Sequence, residues 1–269
     1  MQKVNYHNYI MGGVHIMPET PTTVDGLRAI ELSFRPLRDI ATGRSVCYLA
    51  RTQLNTPALG TLMPESFRPA AEVSGKSREL FALELLQLAE AITALNDSEK
   101  IYQWISQEMP LSVLRDPATV PLLEKICEQF SITANRFCFA IPEETLMQSD
   151  DIAAKNIARL RRHGFRVMLT GFGESGCPFL RLSDLLVDYV MLCPSVSLHI
   201  GQNERTDQAV HSIMDFINNL RSEPVADGVK SSTQAEALYS FGCTYCAGPL
   251  SGEYVSLSEL TGSEYSNSV

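Results

Sequence analysis

The sequence predicts an α/β protein built as a TIM-like (β/α)8 barrel with one antiparallel strand. Three observations predict it. Strand-like and helix-like segments alternate along almost the whole chain, the pattern of a parallel sheet. The first two strand-like segments are joined by a short hairpin turn, which sets one strand antiparallel. The length of 269 residues suits one large barrel domain, and neither an interdomain linker nor an internal repeat interrupts it.

Residues 1–27 show no clear period and include a Pro/Thr-rich stretch, Met17-Pro-Glu-Thr-Pro-Thr-Thr23, so they are expected to form an N-terminal arm. Glu31–Leu37 alternates apolar and polar residues as a strand does, Asp39–Gly43 reads as the hairpin turn, and Arg44–Ala50 is the second strand. Arg78–Leu95 is a helix whose stripe is Phe81, Leu85, Leu88, Ile92 and Leu95, widened by Leu80, Leu83 and Leu86. Strands are expected at Ile101–Ile105, Phe137–Ile141, Phe165–Leu169, Val187–Leu192, Pro224–Val229 and Cys243–Ala247. Helices are expected at Val120–Phe130, Asp151–His163, Glu204–Leu220 and Thr233–Tyr239, with Gly164 as the C-terminal stop of the second of these. The barrel domain is placed at 28–260, and 261–269 is a small, polar tail.

Apolar residues make up 45% and charged residues 20% of the chain, ordinary for a globular protein. The net charge of −9 argues against broad nucleic-acid binding, which needs Lys and Arg to displace counterions. Arg159, Arg161, Arg162, His163 and Arg166 cluster, and the favoured reading is a solvated helix end where cations suit the dipole. The N-terminal stretch lacks the basic-then-apolar pattern of a signal peptide, and no apolar run approaches the ~20 residues of a membrane span, so a cytoplasmic location is expected. Seven scattered cysteines do not suggest a disulfide framework. Cys243 and Cys246 form a lone C-x-x-C without the further ligands of a zinc site, and read as buried free thiols.

Several segments in order resemble one bacterial family. Phe34-Arg-Pro-Leu-Arg-Asp-Ile-Ala-Thr-Gly43 is similar to its opening strand and turn, and Met63-Pro-Glu-Ser-Phe-Arg-Pro-Ala-Ala-Glu-Val-Ser-Gly75 to its "P-x-x-F-I-P-x-A-E-x-x-G" stretch. Leu160–Gly173 resembles "L-x-x-x-G-x-x-x-x-L-D-D-F-G", Val187–Cys193 the strand ending in "K-I-D", Val225–Lys230 "A-E-G-V-E", and Phe241–Gly248 "G-C-D-x-x-Q-G". The ordered set resembles the EAL domains of cyclic-diguanylate phosphodiesterases, from about residue 31 to 260. Gly75, Gly164, Gly173, Gly228, Gly242 and Gly248 match the family's turn positions. The resemblance implies an EAL-type barrel and, for active members, hydrolysis by two divalent cations held by carboxylates at the C-terminal strand ends.

Residue by residue, the resemblance puts other groups, most of them uncharged, where that chemistry needs its ligands. The Glu of Glu-Ala-Leu falls at Leu49, or at Tyr48 if the register slips, and the Asn ligand falls at Trp104. The Glu opening "E-x-T-E" falls at Ala140, the paired aspartates at Thr170 and Gly171, the Lys at Met191 and the Asp after it at Cys193. The last Glu of "A-E-G-V-E" falls at Lys230 and the Gln at Ala247. Only Glu143 and Asp227 remain acidic. The expectation is therefore a degenerate EAL domain with no catalytic residues, no metal and no cofactor.

Three functions compete. The first is a regulatory protein that works by binding an unidentified protein partner, with homodimerisation as an option. Its candidate surfaces are the Arg78–Leu95 helix, although so wide an apolar face suits a core better, and Glu174–Leu182, which resembles the family's dimer-forming region but departs from it at Cys177-Pro178. The second is a receptor that binds cyclic diguanylate or another nucleotide without cleaving it. The family's phosphate-binding Arg falls at Gln53, so the donors would be Arg51, inward only if its strand is shifted or bulged, and Arg68. The third is a different enzyme with Cys193 as nucleophile, for which none of the five histidines offers a sequence-level partner. The first is preferred, and cyclic diguanylate is not expected as a ligand.

Overall fold

A computed structural model describes residues 10–11, 14–15, 23–24, 27–98, 100–144, 151–176 and 179–262. Most of the expected arm, Cys177-Pro178 and residues 263–269 of the expected tail lie outside these. Among the described residues before the barrel there are two-residue strand pairs, Ile10–Met11 with Val14–His15 and Thr23–Val24 with Leu27–Arg28.

The chain then forms β1 (Ile30–Asp39) and β2 (Ser45–Thr56), an antiparallel pair. The expected turn joins them: Asp39 Oδ1 accepts from the Thr42 backbone N–H at 2.8 Å and from its hydroxyl at 2.9 Å, and Gly43 takes φ +66°. β2 runs past its expected end at Ala50 because β1 goes on pairing with it to Leu54, and β3 (Gly60–Leu62) folds back along its tip. Two helices follow, α1 (Pro64–Val73) and α2 (Ser77–Asp97).

Strands and helices then alternate: β4 (Ile105–Glu108), α3 (Leu111–Arg115), α4 (Thr119–Phe130), β5 (Phe137–Pro142), α5 (Asp151–Arg162) and β6 (Arg166–Phe172). After these come α6 (Phe179–Asp184), β7 (Tyr189–Leu192), α7 (Pro194–Leu198), α8 (Glu204–Asn219), β8 (Glu223–Ala226), α9 (Ser232–Ser240), β9 (Tyr245–Cys246) and α10 (Leu257–Thr261). The order β1-β9-β8-β7-β6-β5-β4-β2 is closed by the β1–β2 pair, so eight strands make a barrel and β3 stands outside it. Neighbours from β2 through β4 to β9 are parallel, and β1 is antiparallel to both β2 and β9.

Two apolar layers hold this together. Outward-facing strand residues such as Phe34, Tyr48, Ile105, Phe139 and Val190 pack under the helices. Inward-facing residues fill the lumen, among them Leu37, Cys47, Leu49, Trp104, Cys138, Ala140, Met168, Tyr189, Met191 and Tyr245. The alternation follows from the period of two along a strand.

Several expectations need correction. The strand expected at Ile101–Ile105 begins only at Ile105 and runs to Glu108, leaving Ile101 86% exposed. The strand expected to reach Val229 stops at Ala226, since Gly228 turns the chain at φ +77°. The α2 stripe is not a partner surface: Leu85, Leu88, Ile92 and Leu95 are fully buried against the barrel.

The basic cluster is a helix end partly paired with acids. Arg161 lies 3.0 Å and Arg166 3.5 Å from Asp188, and His163 lies 2.7 Å from Glu124. The six described cysteines are free thiols. Cys243 and Cys246 are buried, and burial pushes the Cys243 thiol up to about 12.

Candidate functional site at the barrel mouth

In a barrel, chemistry collects where the parallel strands end. Here those ends are Glu108, Pro142, Phe172, Leu192 and Ala226, with the outer half of β2 beside them.

The lumen below this mouth is hydrocarbon and aromatic. Leu49, Trp104, Ala140, Met191 and Ala247 all belong to it, each under 9% exposed. Tyr48 faces the outer layer, so Leu49 is the inward position of its strand. Trp104 is not at the mouth end of its strand, as expected of a ligand position, but just before β4, whose mouth end level with Ala140 is Glu108; its indole N–H donates to the Tyr189 hydroxyl at 2.9 Å and the two rings are 4.9 Å apart. Tyr245 meets Tyr189 edge-on at 6.2 Å. Burial pushes the Tyr189 phenol well above its ordinary range, so it stays a neutral acceptor.

The remaining predicted positions sit around the rim. Thr170 is half-buried at the end of β6, level with Pro142, and Gly171 takes φ +73° where the β6–β7 register shifts. Glu143 is buried, and its Oε2 accepts the backbone N–H groups of Glu174 at 3.1 Å and Ser175 at 2.8 Å. Asp227 accepts the Gly228 N–H at 2.7 Å and lies 3.7 Å from Arg35. Lys230 is exposed, on the approach to α9. Cys193 is buried with its sulfur 3.0 Å from the Ser195 hydroxyl, while His199 turns Nδ1 to the Ser195 carbonyl at 2.7 Å. Among the described residues, no group of three or more His, Cys, Asp or Glu side chains is placed to hold a metal ion.

The two candidate phosphate donors have different fates. Arg68 is held by carboxylates, with Nη2 2.9 Å from Glu84 and Nε 3.1 Å from Glu108. Arg51 needs no shift or bulge to face inward: the β1–β2 register is continuous from Ile30 to Leu37, and Arg51 lies two residues beyond Leu49 on the same side. Its guanidinium stacks on the Tyr254 ring, 3.7 Å from the centroid.

Two residues here escape the sequence reading. Arg35 alternates with Leu37 on the inner face of β1, a signal legible in the strand pattern. Tyr254 carries no such signal, because its place depends on a loop that the Phe34–Val255 bridge brings back across the barrel.

Residues 26–254 match the family model described as "EAL domain". The chain belongs to the EAL domain family. This EAL domain is 25% identical over 218 residues to the cyclic di-GMP phosphodiesterase PdeB of Shewanella oneidensis, an alignment spanning 81% of this chain and 25% of PdeB. It is 22% identical over 228 residues to an uncharacterised protein of Azorhizobium caulinodans, covering 83% of this chain and 31% of that protein. It therefore spans about a third or less of these relatives. It covers more of Rv1357c, an uncharacterised protein of Mycobacterium tuberculosis: 24% identity over 222 residues, 81% of this chain and 72% of the relative.

Two solved structures carry the same fold. The PaMucR phosphodiesterase in complex with c-di-GMP superposes with a TM-score of 0.77 at 19% identity, over 86% of this chain and 94% of that one. The FimX EAL domain of Pseudomonas aeruginosa bound to c-di-GMP gives 0.73 at 18% identity, over 89% and 94%. No described helix of the present EAL domain is long and apolar enough to cross a membrane.

Proposed function

We propose that this EAL domain does not hydrolyse cyclic diguanylate and acts in the bacterial cytoplasm as a regulatory protein, by binding another protein. One observation carries the reading: Leu49 and Ala140, where the resemblance sets two carboxylates of a two-metal site, and Met191, where it sets the Lys, are packed together as lumen core. The carboxylates left at the rim do not fit a two-metal centre. Glu143 is spent on two backbone N–H groups, Asp227 lies against a guanidinium, and Glu108 at the end of β4 is paired with Arg68 at 3.1 Å. Two divalent ions ~4 Å apart need more free negative charge than these residues supply. Hydrocarbon beside the rim would also strip water from an ion without replacing it.

For the partner, the segment after β6 offers apolar surface, with Leu180 80% exposed and Leu186 58% exposed. A homodimer through this segment belongs to the same reading. The test is hydrolysis of cyclic diguanylate by the full chain with saturating Mg²⁺ or Mn²⁺. The expected result is no linear product, and metal-dependent turnover abolished by Asp227→Asn would overturn the reading.

A second reading, a non-hydrolysing receptor, is favoured by Arg51 and Arg35 at the mouth. A thermal-shift titration with cyclic diguanylate separates the two, since a ligand that binds only the native state raises the melting temperature by mass action. A saturable rise without metal establishes the receptor, and no rise up to millimolar nucleotide removes it.

A further inference from the structure

The segment 252–255 crosses the barrel after β9 and is fastened there. Val255 and Phe34 exchange both backbone hydrogen bonds, Phe34 N–H to Val255 O at 2.8 Å and Val255 N–H to Phe34 O at 2.9 Å. Arg35 Nε donates to the Gly252 carbonyl at 3.1 Å. Between these anchors stands Tyr254. Its ring lies 3.7 Å from the Arg51 guanidinium and 5.6 Å from that of Arg35.

Two cations at the mouth of a chain with net charge −9 are thus arranged around one neutral ring. Arg35 lies near one carboxylate, Asp227, at 3.7 Å. For Arg51, no carboxylate lies within ion-pair distance among the described ion pairs, and its buried Nε finds no hydrogen-bond acceptor. Yet a guanidinium offers donors along its edge while its face is stacked. Removing such a group from water without an acceptor is costly. The stack with Tyr254 recovers only about 0.5–2 kcal/mol of that cost. The arrangement is a planar ring on a guanidinium whose edge donors await an anion, the two halves of a site for a planar aromatic anion, with the ring half filled from within.

We propose that Tyr254 is a built-in plug of the barrel mouth, occupying the stacking face of Arg51 and keeping Arg51 and Arg35 from external anions that carry a ring. The backbone of the strap stays fixed by the Phe34–Val255 pair, and only the side chain has to swing about χ1 to open the mouth. An external ligand then binds only the fraction of molecules with the ring out, and its apparent affinity falls by that fraction. The proposal rests on the reading of the mouth as one without hydrolysis. It is separable from that reading, because turnover by the wild-type chain tests the earlier claim and ring removal tests this one.

The experiment compares full-length wild type, Tyr254→Ala and Tyr254→Phe. Affinity for a probe is the readout, and Tyr254→Phe, which keeps the ring, should match wild type. With cyclic diguanylate as the probe, Tyr254→Ala should bind about tenfold tighter or more than wild type, the scale of one lost cation–π contact. Equal probe affinity in wild type and Tyr254→Ala overturns the plug. So does a gain in Tyr254→Phe as large as that in Tyr254→Ala. Should Tyr254→Ala fail to melt cooperatively, Tyr254→Leu keeps the bulk and removes the π face. It must then show the same gain in probe affinity or the proposal falls.

Discussion

Glu84 sits in the middle of α2 and is fully buried. One oxygen accepts from the Thr52 hydroxyl at 2.6 Å and from Arg68 at 2.9 Å, while the other has no hydrogen-bond partner. Burial raises its carboxyl to about 7, against the opposing pull of Arg68 and Thr52. Folded Glu84 therefore holds its proton more tightly than unfolded Glu84, whose ordinary value is 4.5. Its contribution to stability is full below pH 4.5 and is lost as pH rises through about 7. The predicted consequence is that Glu84→Gln gains on wild type between these limits, by about 3 kcal/mol in unfolding free energy at the upper end. Urea unfolding of both proteins from pH 4.5 to 8 checks it, and parallel profiles would refute it.

The same cluster holds Arg68, which reads in sequence as a possible phosphate donor, between Glu84 and Glu108. The signal was an acid inside an apolar helical stripe, and a buried carboxylate asks for a cation, but sequence does not say which. A second residue-level expectation concerns the lumen: Tyr189→Phe leaves the Trp104 indole N–H without its acceptor and should cost about 1–3 kcal/mol, read from the urea midpoint.

At the scale of elements, backbone approach is as decisive as side-chain chemistry. Gly248 follows β9 at φ +133°, and a Cβ there would stand 2.5 Å from the Val229 carbonyl oxygen, closer still to the Val229 nitrogen. Both contacts are backbone, so neither can swing aside. Gly248→Ala should leave little soluble protein, whereas Gly43→Ala, with nothing within 4 Å, should cost only the strain of its turn. Soluble yield and melting temperature distinguish them. Packing of α2 gives a graded case: Leu88→Ala should cost about 2–5 kcal/mol, since the site is sealed on all sides.

The long amphipathic helices were legible because periodicity over many residues averages out local noise, as for Glu204–Asn219. The short ones were not. α3, α6 and α7 have five or six residues each, too few to show a period, and are ordered by the strands they follow. β4 was displaced for a related reason: Ile101 is apolar yet exposed, and polar Ser106 and Gln107 are buried in the strand. Of the mouth, Leu49, Ala140, Met191 and Ala247 could be placed from strand ends alone; Trp104 was misplaced because β4 starts only after it, and Tyr254 could not be placed because a loop carries it back.

The whole molecule is a closed ring of hydrogen bonds, so each barrel strand is needed to cover the next. Deleting residues 1–44 removes β1 and bares the edges of both β2 and β9. Such edges recruit one another, and the truncated chain should be recovered mainly in the insoluble fraction. A soluble, monomeric product by size-exclusion chromatography would show that the remaining strands can close without it.

The seam between β1 and β9 pairs Arg38 with Cys246 and Asp39 with Tyr245, partners from opposite ends of the barrel sequence. The β1–β2 hairpin closes over a short turn and can form as soon as Thr56 is free, but its outer edge must wait for almost the entire domain. During synthesis that edge leaves the ribosome early and remains uncovered until the final strand follows. The growing polypeptide thus carries an open β edge until β9 emerges, and the rate at which ribosomes traverse the codons between β1 and β9 sets how long that edge must be shielded by holding chaperones.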